Sequence, residues 1–213
     1  MILTDADVAA GLDALVRLDP RLAPVVEGAG PVPLRRAEPG LAGLVATVVA
    51  QQVSRASASA ILGRLREAVE ISRAAAILDA EDEVLRRAGL SAAKIRTLRA
   101  AALAMSEGRL DFARIERAEP AAAVSELVAL PGIGLWTAEC FLLFSLGHPD
   151  VFPAGDLALR LAVADGLALS DARPKEASVA EIARVWSPHR SVAARLFWRH
   201  YHVVTRRDAA PAT

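Results

Sequence analysis

The sequence predicts an all-α fold, and three observations favour it. Ala, Leu, Val and Arg dominate a chain of 213 residues, of which 54% are hydrophobic and only 4% aromatic. Ala, Leu and Arg are strong helix formers, whereas strands favour β-branched and aromatic residues. Apolar residues also recur at helical spacing throughout the chain, and no stretch is convincing as a strand.

The N-terminal forty residues predict two helices followed by a linker. Thr4 and Asp7 have the spacing of a capping box and precede apolar residues at helical intervals. A shorter helix is expected at 21–27. The stretch 28–40 is rich in Gly and Pro, which break helices, and is therefore interpreted as a linker.

The rest of the chain continues as a series of helices. An apolar helix at 41–50 ends at the sequence QQVS, where Ser54 can cap the next helix. Pro120 can open a helix in its first turn, and Pro131 ends it by disfavouring the α conformation at the preceding residue. Further helices, separated by Gly or capping residues, are expected at 72–78, 81–88, 91–106, 135–146, 156–166, 175–185 and 191–204. The tail is expected to be disordered from 206 to 213.

Composition excludes several classes of protein. The 25 basic and 25 acidic residues cancel, so net charge gives no argument for a polyanionic partner. The single cysteine, Cys140, excludes an internal disulfide and any site with several cysteine ligands. No N-terminal signal pattern is present, and no apolar run reaches the roughly 18 residues of a membrane helix. We expect a soluble monomer in the cytosol.

The stretch LPGIGLWTAEC, from Leu130 to Cys140, interrupts two apolar helices with a Pro and two Gly. Gly132 and Gly134 lack a Cβ and allow a sharp turn and close approach of another surface. The unpaired N–H groups and positive dipole end of the following helix then favour binding of a phosphate. The alternative is an ordinary αα-hairpin whose glycines only make the turn.

Four segments together resemble the helix-hairpin-helix (HhH-GPD) superfamily of DNA glycosylases. They are VVAQQVSRASASAIL (48–62), LPGIGLWTA (130–138), VFPAGD (151–156) and WSPHRSVAARLFW (186–198), which occur in the family's order. The last segment is similar to the alkylation-repair branch, and the bacterial 3-methyladenine DNA glycosylases II are the most similar group. The resemblance implies two helical lobes with a cleft for DNA and the damaged base between them.

The resemblance also implies a division of the chain. Residues 1–40 and 156–205 are expected to form one lobe. Residues 41–155 form the other, with the helix-hairpin-helix at 124–146.

Two absences point to a monofunctional enzyme within this superfamily. Bifunctional members carry a lysine after the hairpin glycines, where this chain has Trp136, and its two lysines, Lys94 and Lys175, lie in no matching motif. An iron–sulfur cluster would need four cysteines, so no cofactor is expected. The implied function is excision of alkylated purines from duplex DNA. A non-catalytic DNA-binding module and a glycosylase for oxidised or deaminated bases stay open as alternatives.

The resemblance places Trp136 and Trp198 in the base pocket. Purines alkylated at N3 or N7 are cationic, and an indole face attracts cations by roughly 0.5–2 kcal/mol. Cys140 follows one helical turn after Trp136, where the family's best-known member has a tyrosine, so a roomier pocket is expected. The alternative is that both tryptophans are ordinary core residues.

Asp156 matches the family's catalytic aspartate. Loss of the base builds positive charge on the deoxyribose, which a preorganised carboxylate can stabilise, or the carboxylate can orient the attacking water. Taken alone, an Asp at a helix start is usually an N-cap.

The remaining expected contacts are with DNA. Extruding a base costs a few kcal/mol and leaves a gap, which Gln51 or Gln52 is expected to contact. Further contacts to DNA are expected from Ser54, Gly132, Ile133, Gly134 and Arg190. Lys94 and the arginines of 190–207 are the other cations considered for phosphates. No metal is expected beyond a monovalent cation, which relatives hold at the hairpin carbonyls.

Overall fold

The computed structural model describes residues 1–207 and 209–211 of the chain, and within them it contains helices and no strand. The all-α prediction is therefore confirmed. No helix in this part of the chain is both long and apolar enough to cross a bilayer.

Thirteen α-helices are present among the described residues. In chain order they are α1 (Asp5–Leu18), α2 (Ala23–Ala29), α3 (Gly40–Ala50), α4 (Arg55–Ala68), α5 (Ala74–Asp79), α6 (Asp82–Ala88), α7 (Ala92–Ser106), α8 (Phe112–Arg117), α9 (Pro120–Val128), α10 (Leu135–Phe141), α11 (Leu157–Gly166), α12 (Glu176–Ala183) and α13 (Arg190–Thr205). Short 3₁₀ turns lie at Pro20–Leu22 and Arg184–Trp186, and a π-helical turn at Leu142–Leu146 continues α10.

The chain forms two compact units. The terminal unit comprises Met1–Arg36 and Gly147–Ala210, and the central unit comprises Ala37–Leu146 with Pro211. The loop 147–155 thus belongs to the terminal unit, whereas the sequence division assigned it to the central lobe. The physical reason is that its backbone is hydrogen-bonded to the start of α13 and to Ile2.

The core of the terminal unit surrounds α13, which packs against α1, α2 and α11. Trp186 is fully buried, with ring centroids 5.4 Å from Phe152 and 5.2 Å from Phe197. Its indole Nε1 donates to Asp19 Oδ2 at 3.0 Å. Hydrogen bonds from Arg21 hold the pKa of Asp19 below its ordinary value, so this buried carboxylate remains charged and paired. Both ends of the chain therefore build one core.

The core of the central unit surrounds α3, which packs against α4, α7 and α10. Every residue from Leu41 to Ala50 is buried, as expected for a helix that is apolar on all sides. Gly43 allows the preceding chain to pass close by, because a Cβ there would clash with the Glu38 carbonyl oxygen. This helix ends at the QQVS sequence.

The local signals mark most helix ends correctly. The Thr4–Asp7 capping box is present, and Ser54 Oγ accepts from the Ser57 N–H at 3.2 Å to cap α4. One helix was missed: α8, which begins after Asp111, whose carboxylate accepts from two backbone N–H groups. At six residues, α8 is too short to show an apolar period.

The tail expected to be disordered, 206–213, falls partly outside the described residues, at 208, 212 and 213. Of its described residues, Ala210 is buried.

Candidate active site and nucleic-acid interface

The loop 147–155 is fixed to the first turn of α13. Ser191 Oγ accepts from the Val151 N–H at 3.0 Å and donates to the Val151 carbonyl at 3.1 Å. The Ser191 N–H donates to the Pro149 carbonyl at 3.0 Å. Ser191 is fully buried, so these bonds are shielded from water and hold the loop firmly.

A second fastening of the same loop is an ion pair. Arg190 donates to both oxygens of Asp150, at 2.7 and 2.9 Å, and Ser187 Oγ donates to Asp150 at 2.8 Å. Burial raises the pKa of Asp150, but the hydrogen bonds from Arg190 and Ser187 outweigh it and place that pKa below its ordinary value. The carboxylate is therefore charged at neutral pH.

Asp156 ends this loop and begins α11. Its N–H donates to the Pro153 carbonyl at 2.9 Å, and its Oδ1 accepts from the Leu159 N–H at 3.0 Å. Trp198 Nε1, on α13, lies 3.4 Å from the same oxygen. Asp156 is thus the N-cap of α11, as expected for an aspartate at a helix start. Its carboxylate also faces the indole N–H of Trp198, a second predicted site residue. The structure thus brings Asp156 and Trp198 together.

Trp198 differs from the other buried tryptophan of the same unit. It is only 3% exposed, yet its N–H faces the end of a loop rather than a core partner such as Asp19, which holds Trp186. One edge of the indole therefore borders Asp156, where the sequence places the reaction.

The hairpin of the central unit joins α9 to α10 as predicted. Gly132 has φ +83°, and a Cβ there would clash with Thr97 Oγ1, so only glycine fits. Gly134 precedes α10 and faces open space. Among the described residues, none accepts a hydrogen bond from the N–H of Gly132 or Gly134. Both residues are exposed, and their amides are available to a ligand.

Ile133 does not behave as expected for a residue that contacts DNA. Its side chain is only 4% exposed, and its N–H donates to the Leu130 carbonyl at 3.1 Å. The hairpin buries this apolar side chain to fix the turn, and therefore offers the amides of its two glycines but not that of Ile133.

Side chains from three elements meet where α3 ends beside the hairpin. Gln51 Nε2 donates to Thr137 Oγ1 at 2.8 Å and to the Gly132 carbonyl at 3.3 Å. Lys94 Nζ, on α7, donates to the carbonyls of Val49 and Gln51 at 2.8 and 2.9 Å. We call these residues the hairpin junction. Lys94 was considered for a phosphate, but its ammonium is engaged within the protein.

The two glutamines expected at the DNA gap are therefore in different situations. Gln51 holds the hairpin with its side-chain amide, whereas Gln52 and Val53 are exposed. Gln52 has φ +56°, a left-handed conformation that is unusual for a residue other than glycine. Of the pair, Gln52 is the one presented to solvent.

Trp136 and Cys140 lie one turn apart on α10. Cys140 is fully buried and Trp136 half-buried. Their role in a base pocket stays a prediction.

Most of the arginines near the C-terminus are engaged inside the terminal unit. Arg190 pairs with Asp150, and Arg199 donates to the Ala29 carbonyl at 3.0 Å. Arg195 donates to the Arg35 carbonyl at 2.8 Å, and burial, together with the charges of Arg36 and Arg35, lowers the pKa of Arg195 to about 10. Arg206 and Arg207 are exposed. A phosphate contact by Arg190 stays a prediction.

No group of three or more His, Cys, Asp or Glu side chains in the described part of the chain is arranged to hold a metal ion. In the hairpin, the carbonyls of Leu130 and Gly132 already accept hydrogen bonds from Ile133 and Gln51. The monovalent cation stays a prediction.

The sequence reasoning missed the residues that support the site: Ser191, Asp150 and Thr137, together with the inward role of Lys94. Their partners are separated by 40 or more residues along the chain. The only local signals for them were an acidic residue in the loop before Asp156, which is Asp150, and the serine of the segment PHRS, which is Ser191.

Comparisons with known proteins find similar sequences and structures. A family model described as "HhH-GPD superfamily base excision DNA repair protein" matches residues 45–188. DNA-3-methyladenine glycosylase 1 of Schizosaccharomyces pombe is 31% identical over 163 residues, covering 73% of this chain and 70% of the relative. The match to the family model includes the hairpin and Asp156.

Two solved structures resemble more than nine tenths of the chain. A DNA-3-methyladenine glycosidase from Bacillus halodurans is 33% identical, with a TM-score of 0.79, and the match covers 92% of this chain and 91% of that one. A 3-methyladenine DNA glycosylase from Schizosaccharomyces pombe, in complex with abasic DNA, is 28% identical, with a TM-score of 0.80. That match covers 91% of this chain and 95% of the other.

Proposed function

Because this chain belongs to the HhH-GPD superfamily of base excision DNA repair proteins, we propose that it is a monofunctional DNA glycosylase that removes alkylated purines of the 3-methyladenine type from duplex DNA. We propose further that it acts as a monomer in the bacterial cytosol or nucleoid.

The observation that carries the proposal is the placement of Asp156. Its carboxylate stands at the end of a loop that is bonded to α13, caps α11 through the Leu159 N–H, and lies 3.4 Å from the indole N–H of Trp198. A carboxylate that only caps a helix needs no such support from a second element. A carboxylate that stabilises a transition state must be held in place before the reaction, because reorganisation would cost part of the benefit.

The chemistry follows from the charge of the substrate. In an alkylated purine the electrons of the N-glycosidic bond pass to the cationic base, which leaves neutral, while positive charge develops at C1′ of the deoxyribose. Asp156 stabilises that charge, and a water molecule adds its oxygen to C1′ and releases its proton to solvent. Because the base is already a good leaving group, a strong general acid is not needed.

The central unit supplies the contacts to DNA in this proposal. The amides of Gly132 and Gly134 bind a backbone phosphate, as unpaired N–H groups at a helix start can do. Gln52 contacts the gap that the flipped base leaves. Trp136 stands where lyases have their lysine, so the reaction ends at the abasic site with the strand intact.

Base release from defined duplexes tests the proposal. Duplexes with one 3-methyladenine, 7-methylguanine, ethenoadenine, hypoxanthine, 8-oxoguanine or uracil are incubated with the enzyme, and the released bases are identified by mass spectrometry. We expect release of the alkylated purines and strand breakage only after alkali. Binding of all duplexes without release of any base would instead support a DNA-binding module. Release of 8-oxoguanine, hypoxanthine or uracil alone would support a glycosylase for oxidised or deaminated bases.

A further inference from the structure

The last turn of α3 is largely shielded from water. The last carbonyls of a helix have no partner within the helix, and in α3 they belong to buried residues, with Val49 fully buried. The carbonyls at this end also carry the negative pole of the helix dipole. A donor from elsewhere in the chain is required there.

Lys94 is that donor. Its ammonium reaches from the first turn of α7 to the Val49 carbonyl at 2.8 Å and the Gln51 carbonyl at 2.9 Å. One bond thus goes to the last turn of α3, and the other goes to the residue beyond it. Hydrogen bonds from a charged donor are stronger than those between neutral groups, so Lys94 fixes the direction in which the chain leaves α3.

The residue that follows these two carbonyls is Gln52, with its left-handed φ of +56°. This conformation is strained for a residue with a Cβ, and it persists only where neighbours impose it. The neighbours are the Lys94 bond to the Gln51 carbonyl and the Gln51 side-chain bonds to Thr137 and Gly132. Both act on the residue just before Gln52.

We propose that Lys94 is a positioning residue for base flipping, which fixes the turn formed by Gln51, Gln52 and Val53 so that Gln52 is presented to the gap in the duplex. This inference rests on the proposed glycosylase function. Lys94 touches neither substrate nor reacting atoms; it acts through the backbone of Gln51. Burial lowers the pKa of Lys94 below its ordinary value, which is consistent with an ammonium that faces carbonyls rather than solvent.

The test compares Lys94→Met with Lys175→Met. Methionine keeps the length of the side chain and removes its donors and charge, and Lys175 is the matched control because it is the other lysine of the chain and is exposed. Single-turnover excision is measured on 7-methylguanine opposite cytosine and opposite thymine. Flipping is harder from the correct pair than from the mismatch.

We expect Lys94→Met to slow excision from the correct pair about tenfold, the effect of losing a charge-assisted hydrogen bond, and to slow it much less from the mismatch. Lys94→Arg, which keeps a charged donor, should recover part of the rate. In a Gln52→Ala background the effect of Lys94→Met should disappear, because the residue through which it acts is gone. Equal slowing on both substrates, or an undiminished effect in that background, would show a merely structural lysine.

A second measurement does not depend on catalysis. Hydrogen exchange of the peptide that spans residues 48–54 should be faster in Lys94→Met than in Lys175→Met, since the turn loses its anchor. Unchanged exchange would overturn the inference even if the enzyme is active. If the wild-type protein releases no base while exchange responds as expected, the proposed function fails and with it the role of Lys94 in base flipping, whereas the anchoring of the turn by Lys94 stands.

Discussion

Replacing Asp156 by Asn separates the two roles of this residue. Asn is as good an N-cap as Asp, and its side-chain oxygen can accept from the Leu159 N–H as Asp156 Oδ1 does at 3.0 Å. The fold should therefore be unaffected, with a change in unfolding free energy within about 0.5 kcal/mol. What the substitution removes is the negative charge.

The expected loss of rate follows from that charge. Two opposite unit charges about 4 Å apart interact by about 4 kcal/mol at an effective dielectric constant near 20. Only part of a unit charge develops on the sugar, and the Asn dipole retains part of the attraction. A loss of about 2.7 kcal/mol remains, which corresponds to about a 10²-fold slower excision.

The assay combines single-turnover excision with a melting curve on the same preparation, and Asp111→Asn serves as the matched control. Asp111 also caps a helix, accepting from the Ala113 and Arg114 N–H groups at 2.9 and 3.2 Å, but it has no proposed part in the chemistry. Binding of Asp156→Asn to an abasic duplex should be retained. Near-wild-type excision by Asp156→Asn, or an equal loss in Asp111→Asn, would refute the reasoning.

Three further predictions concern cleavage of the DNA strand, the role of the hairpin and the stability of the protein in acid. Because Trp136 stands where lyases carry lysine, borohydride should trap no covalent adduct with DNA; a trapped adduct would contradict this. In Gly134→Asp the new side chain meets only open space, so the fold should tolerate it, but binding to every duplex should weaken about tenfold or more in filter-binding titrations. Gly63→Asp is the control, because that position is equally unobstructed, and it should not weaken binding. Equal affinity of both variants would show that the hairpin is only a turn. Asp150→Asn should destabilise the fold by about 1–3 kcal/mol at pH 7. Arg190 keeps the pKa of Asp150 low in the folded protein. In thermal melts, the greater stability of the wild type over Asp150→Asn should therefore be lost as the pH falls below about 4. A stability difference between the two proteins that is the same at all pH values would exclude the ion pair as its source.

The helices could be predicted from the sequence because their ends depend on nearby residues. The capping box at Thr4, the cap at Ser54 and the break at Pro131 each act within four residues, so their effect is visible in a short window. The helix after Asp111, α8, was not predicted because a single N-cap without an apolar period gives too little signal.

The candidate site could be predicted only in part. The resemblance indicated Asp156 and Trp198 separately, but their contact joins residues 42 positions apart and depends on the packing of α11 on α13. The same holds for Gln51, whose amide turns toward a hairpin 81 residues further on. Neither pairing leaves a trace in local spacing, since hydrogen bonds between distant segments are set by the tertiary fold.

The division of the terminal unit between the two ends of the chain has a consequence during biosynthesis. Apart from Pro211, the described part of the central unit is one continuous segment, Ala37–Leu146, which can fold as soon as it leaves the ribosome. Asp19 in the terminal unit, by contrast, must await Trp186, 167 residues later. At about 5–20 residues per second, that wait lasts roughly ten to thirty seconds. During it the apolar faces of α1 and α2 have no α13 to cover them, so the nascent N-terminal segment should be the part of this protein that most depends on a chaperone.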